Sequence, residues 1–363
     1  MKNKSVKISS SFYYLRSGSF TRKNRRAARK IRQLNIQRQN RKPLDPDKET
    51  VSLADVRRAG TRVASSEINV GNSLSLFGDT VNLISVVSLL SKYSMSPKGV
   101  IRHINLNLSS VKEVDTGALS FLLAKVNEIT KTRRVVISGD LPNEPNCKKY
   151  IEESGFLDYM TDLTGKRFER HSDNFLVKIG DKKTDSEQVG RLIKKCVKKL
   201  TGQENHYPPV YSILQEMSGN SVEHANISNK NWLLGVNFNY AEDGSVIDVI
   251  FTMTDVGFGI LNTLVRKFGV RLAETLTKNT SILYRAFERK YGSSTEEINR
   301  NRGLPLIKDR YEKQYICDLK VITNDVVLDF NDLDNSTTLG KNFPGTFYYW
   351  KINKNCIDKW NTN

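Results

Sequence analysis

Apolar positions recur along the chain in two rhythms, and the change between them divides it. Within residues 51–163, Asn72-Ser73-Leu74-Ser75-Leu76-Phe77 alternates with period two, as a strand with one buried face does. Asp79 then reads as the N-cap of a helix carrying Val81, Leu83, Ile84, Val87 and Leu90. Residues 101–108 predict a second strand, and Asp115-Thr116-Gly117 opens a helix with Leu119, Leu122, Leu123 and Val126 on one face. A third strand is expected over 134–138 and a third helix over 148–155, ended by Gly155. Strands and helices in alternation predict a parallel or mixed sheet covered by helices.

From residue 178 onward the rhythm changes. A lysine-rich helix over 186–200 leads through Tyr207-Pro208-Pro209 into a helix that contains Ile213-Leu214-Gln215-Glu216-Met217-Ser218-Gly219-Asn220. Val246-Ile247-Asp248-Val249-Ile250-Phe251-Thr252-Met253 is an apolar strand ending at Thr254-Asp255-Val256-Gly257-Phe258-Gly259. Asn301-Arg302-Gly303-Leu304 reads as a turn into a helix, and Pro344-Gly345-Thr346 as a turn into a final strand.

Composition narrows the class. The 363 residues allow two ordinary domains, and 38% hydrophobic with 26% charged residues fits a globular chain. The longest apolar stretch, near 83–90, is broken by Ser85 and Ser88 and is too short to span a bilayer. No apolar segment follows the charged N-terminus, so a cytoplasmic protein without a membrane span is expected. Cys147, Cys196, Cys317 and Cys356 are scattered without CxxC spacing, which predicts reduced thiols rather than a zinc cluster or disulfide framework.

The net charge of +18 is concentrated at one end. Residues 1–44 hold fourteen Lys and Arg and no Asp or Glu. Residues 1–46, closed by Pro43 and Pro46, therefore read as a basic tail, flexible or helical, able to contact nucleic acid or another polyanion. The alternative is a solvated tail with no partner.

Several residues carry candidate chemistry. Glu216 and Asn220 are four apart and share a helix face. Asp255 places an acceptor at a strand end, and Gly257 and Gly259 leave a backbone that a flat group can approach. Gly303 and Leu304 open a helix whose free N–H groups suit phosphate. Asp115 or Thr116 caps its helix, or Thr116 accepts a phosphate that the same helix end would favour.

Taken together, the blocks around Asn220, Asp255, Gly303 and Thr346 resemble, in order and spacing, the nucleotide boxes of the GHKL superfamily of gyrases, heat-shock chaperones, histidine kinases and mismatch-repair ATPases. The resemblance covers roughly 207–351. It implies ATP and Mg2+ as ligands, with Asp255 accepting from the adenine amino group and Gly257 and Gly259 shaping the base pocket. It further implies Asn220 at the magnesium, Glu216 as general base, Gly303 and Leu304 at the phosphates, and Thr346 on the adenine side. Residues 261–300 would form a lid bearing Lys267, Arg271, Lys278, Arg285, Arg289 and Lys290. The glycine box departs from the family pattern at Asn301, a residue that tolerates positive φ. Leu106-Asn107-Leu108-Ser109-Ser110-Val111 leading into Val114-Asp115-Thr116-Gly117 resembles the STAS domain of anti-anti-sigma factors, in which Thr116 would occupy the phosphoacceptor position.

The expected architecture is thus α/β and α+β: a basic tail (1–46), a STAS-like domain (51–163) and a GHKL-type α/β sandwich (178–363). Three functions fit. One is an ATP- and Mg-binding regulatory protein with slow hydrolysis coupled to conformational change and partner binding, through a homodimer or a protein partner of the STAS-like domain. Another is an anti-sigma-type serine/threonine kinase or phospho-switch acting on a STAS domain. The third is an ATP-sensing scaffold without turnover that binds nucleic acid through its tail.

Overall fold

The computed structural model describes residues 11–14, 62–95, 100–133, 135–162, 166–169, 173–179, 186–224, 232–268, 278–288 and 303–362. The protein is mixed α/β, with parallel and antiparallel sheets, and divides into two compact units, Met1–Ser172 and Asp173–Asn363. The division falls in the interval left between the two expected domains. Among the described residues no helix is long and apolar enough to cross a membrane.

In the first unit β1 (Ser11–Tyr14), β2 (Arg62–Asn69), β4 (Val100–Asn107), β6 (Val135–Asp140) and β7 (Met160–Thr161) form one sheet in the order β2-β4-β6-β1-β7. The pairs β2–β4 and β4–β6 are parallel, and β1 runs antiparallel to β6 and β7. Helix α1 (Thr80–Tyr93) buries Leu83, Ile84, Val87 and Leu90 of the expected apolar set but leaves Val81 exposed, and Asp79 caps it through the Asn82 N–H as expected. Helix α2 (Thr116–Thr132) is buried on nearly every side, as a core helix is, so its sequence shows little amphipathic contrast. Helix α3 (Pro145–Glu153) starts three residues earlier than expected because Glu144 caps it and Pro145 fits its first turn; Gly155 follows at φ 82°.

Two expectations change here. Residues 11–14, assigned to the basic tail, form a strand inside the sheet. The run Phe12-Tyr13-Tyr14 has high β propensity, and the cationic residues on either side conceal it. The strand expected over 72–77 contracts to β3 (Ser73–Leu74), which pairs in parallel with β5 (Glu113–Val114). Its second half is drawn into a turn by Asp115, whose Oδ2 accepts from the Ser75 hydroxyl (2.7 Å) and the N–H groups of Leu76 (2.7 Å) and Phe77 (3.4 Å).

In the second unit β8 (Phe175–Ile179), β9 (Trp232–Tyr240), β10 (Val246–Asp255), β11 (Cys317–Asp329) and β12 (Thr337–Asn353) form an antiparallel sheet in the order β11-β12-β10-β9-β8. Alternate residues, among them Leu234, Val236, Val249, Phe251, Tyr348 and Trp350, join one apolar cluster with α4 (Ser186–Thr201) and α5 (Pro208–His224). Phe251 and Trp350 stack within it at 5.4 Å between ring centres. The cluster also takes in α6 (Ile260–Phe268), α7 (Asn279–Phe287), α8 (Gly303–Glu312) and α9 (Lys354–Asn361). Helix α7 lies within the segment expected to be a lid, yet Leu283 and Phe287 are buried and Phe287 packs edge-on against Phe330. That part of the segment belongs to the core. Asn301, Arg271, Arg289 and Lys290 lie outside the described residues.

Candidate functional site

Strand β10 runs two residues past its apolar stretch, so Asp255 is its last residue, paired with Thr346 on β12. Thr346 is in turn paired with Thr323 on β11. Pro344 and Gly345, expected as a turn before a new strand, lie instead within the long strand β12, where its register against β11 shifts between Thr323 and Asn324. An irregularity of this kind is where a sheet tolerates proline. Gly345 has φ +129°, and a Cβ there would overlap the Asp255 carbonyl oxygen and lie 3.1 Å from the Gly257 nitrogen.

The loop after Asp255 is held from below by two residues that the sequence motifs do not include. The Thr323 hydroxyl accepts from the Ile260 N–H (2.9 Å), donates to the Gly345 carbonyl (3.0 Å), and lies 3.2 Å from the Thr346 hydroxyl. Asn324 accepts from the Leu261 N–H and donates to the Phe258 carbonyl, both at 3.0 Å. Gly259 has φ +80°, and the Asn324 amide occupies the space that a Cβ would need. The one signal for Asn324 in the sequence is an Asn-Asp step inside a β-branched run, which accommodates its own φ of +54°.

Asp255 is half-buried, and its carboxyl sits deep enough that lost hydration raises its pKa from 3.8 to about 6. Among the described residues no donor is hydrogen-bonded to that carboxylate. Gly257 is exposed beside it, and a Cβ there would stand 3.4 Å from Asp255 Oδ2. The structure thus brings Asp255, Gly257, Gly259 and Thr346 together at one end of the sheet.

The other candidates come from helices. Val210, Ile213, Leu214 and Met217 form the buried stripe of α5, and Glu216, half-buried, lies on its flank. Asn220 lies one turn later in the same helix. Helix α8 packs on α5 and begins at Gly303, which is buried, while Leu304 packs against the apolar cluster. The first N–H groups of α8 have no partner within the helix. Among the described residues no group of three His, Cys, Asp or Glu side chains is placed to hold a metal ion.

Thr116 stands apart, in the first unit. Asp115 caps α2 through the Ala118 N–H (2.7 Å), and Thr116 is only 3% exposed, with its hydroxyl 2.6 Å from the Tyr150 hydroxyl. A phosphate there would have to displace Tyr150. Thr116→Val keeps the cap and removes this hydrogen bond, so urea unfolding should show a loss of about 1 kcal/mol. An unchanged midpoint would mean that the hydroxyl pair contributes nothing to stability.

Comparison of the chain with protein-family models, with curated proteins and with solved structures returned no match.

Proposed function

We propose that the second unit binds ATP with magnesium, and that the chain is a regulatory protein whose nucleotide state, coupled to slow hydrolysis, changes its conformation and partner contacts. The observation that carries this reading is the Asp255 carboxylate. It is costly to keep desolvated, has no donor among the described residues, and lies beside Gly257, where a Cβ would stand 3.4 Å from its Oδ2. A half-buried, poorly hydrated acceptor at a strand end beside bare backbone suits a flat ring that brings its own donor, as the adenine amino group does.

The remaining residues fit the same ligand. Thr346 and Thr323 share a hydrogen-bonded position across the strand from Asp255, suited to fixing a ring edge or its bridging water. Gly303 and Leu304 offer the amino end of α8 to phosphate oxygens. Asn220 would supply an amide oxygen to magnesium, and Glu216, one turn before it, would take a proton from water. Bound ATP would supply the phosphoanhydride whose hydrolysis drives the conformational change.

The order of elements supports a GHKL-type reading of the second unit: helix α5, hairpin β9–β10, intervening helices, then β11–β12 under one helical layer. The alternation of β2, α1, β4, α2 and β6 supports a STAS-like reading of the first. The kinase alternative loses weight because its acceptor, Thr116, is buried and paired.

Calorimetric titration of ATP and magnesium into the full chain tests the proposal, and absence of binding heat and competition alike would sink it. Glu216→Gln separates hydrolysis from sensing. Phosphate release should fall by about 10²–10⁴-fold with ATP affinity retained. Equal release by both proteins would remove Glu216 from the chemistry.

A further inference from the structure

The second unit also contains an open cavity of about 730 Å3, lined by none of the candidate nucleotide residues. It lies between the start of β11, the end of β12 and helix α9, and its lining includes Cys317, Cys356, Asn331, Asn353, Asp358 and Lys359. Both cysteines are free.

The two thiols are arranged as a pair. Both line the same cavity, and each is the largest influence on the other's proton affinity, although thirty-nine positions separate them in sequence. Asn353 bridges them: its Oδ1 caps the Cys356 N–H at 3.0 Å, and its Nδ2 approaches Cys317 Sγ at 3.9 Å. Cys317 Sγ donates to the Lys351 carbonyl at 3.6 Å. Cys356 occupies the first turn of α9, where the helix dipole favours a thiolate.

We propose that Cys317 and Cys356 are an oxidisable dithiol, a site of reversible disulfide formation by a peroxide admitted through this cavity. The Cys356 thiolate attacks one peroxide oxygen and breaks the O–O bond, giving a sulfenic acid and releasing hydroxide. The Cys317 sulfur then attacks the Cys356 sulfur. The S–S bond forms, the S–O bond breaks, and the oxygen leaves as water with the proton from Cys317. The two thiols are oxidised by two electrons and the peroxide is reduced.

The direction of attack follows from the pair's electrostatics. The neighbouring Cys317 thiol lowers the pKa of Cys356, and Cys356 in turn raises that of Cys317. The other two cysteines are buried without such a partner. Burial holds the Cys147 thiol up at about 11 and the Cys196 thiol at about 12, so both are poor nucleophiles. The oxidised pair would also be felt beyond the cavity. The Tyr207 hydroxyl, just before α5, is shared between the carbonyls of Cys356 (3.0 Å) and Tyr315 (2.7 Å).

The test treats the native full-length protein with an equivalent of hydrogen peroxide, then denatures, alkylates and maps its peptides by mass spectrometry. Two of the four cysteines should escape alkylation, appear as one linked Cys317–Cys356 peptide, and return to alkylation after dithiothreitol. Cys147 and Cys196 should stay alkylated throughout. In Cys317→Ser, dimedone should trap a sulfenic acid at Cys356. Full alkylation of all four cysteines, separate oxidation without a link, or a link to another chain would each overturn the proposal.

Discussion

Asp255→Asn is expected to make the ligand-free protein more stable at pH 8, by up to about 3 kcal/mol, while weakening ATP binding roughly tenfold. The stability half follows from the raised pKa of Asp255, from 3.8 to about 6. The folded state holds this proton more tightly than the unfolded chain does. The group therefore costs nothing below about pH 4, costs progressively more as pH rises toward about 6, and carries its full penalty above that. Roughly two pH units at 1.36 kcal/mol each set the upper limit. Asparagine has the same shape without the charge, so the gain should be present at pH 8 and absent at pH 4. The binding half follows from replacing a charged acceptor with a neutral one, a difference of about 1–1.5 kcal/mol; Asp255→Ala, which removes the acceptor, should cost about 100-fold. Urea denaturation at the two pH values and calorimetric titration with ATP read the two halves independently. Opposite signs would mark Asp255 as a residue retained for its ligand at the expense of the empty fold. Lower stability of Asp255→Asn at pH 8 would mean that the carboxylate has a structural partner, and the argument for a ligand would fall with it.

The elements legible in the sequence are those where a local pattern and the tertiary fold agree. The spacing Val210, Ile213, Leu214, Met217 is both a helical stripe and the buried face of α5. The apolar run 246–253 is both a strand pattern and the central β10, and the carboxylate that follows it does stand at the strand end. Where long-range contacts decide, the local pattern misleads. Residues 72–77 alternate as a strand should, yet Asp115, about forty positions away, collects their donors into a turn. Phe12 to Tyr14 carry a strand signal that a basic environment masks, because the strand exists only by pairing with β6 and β7. Pro344-Gly345 reads as a turn since both residues favour one, while in the sheet they sit at a register shift inside β12. Thr323 and Asn324 support the loop over residues 258–261 from sixty-odd positions away, and nothing near them in sequence announces that role.

Gly345→Ala should be the most damaging single methyl addition among the described glycines. At φ +129° any L residue is strained, and the new Cβ would overlap the Asp255 carbonyl oxygen while standing 3.1 Å from both the Asp255 carbonyl carbon and the Gly257 nitrogen. All of these are backbone atoms, so no side-chain rotation relieves the overlap. Strands β10 and β12 would have to part where Asp255 faces Thr346, and the Thr323 hydroxyl would lose its Gly345 acceptor. The expected cost is about 3 kcal/mol or more from strain and broken pairing. Because the same atoms shape the approach to Asp255, ATP binding should be lost in whatever fraction remains folded. Gly340→Ala is the internal control. It lies on the same strand, its φ is unremarkable, and nothing stands within 4 Å of its Cβ. It should change the urea midpoint by no more than about 0.5 kcal/mol equivalent. Similar midpoints for the two variants would show that β12 yields easily at Gly345, and the close backbone contact could not then be what shapes the site.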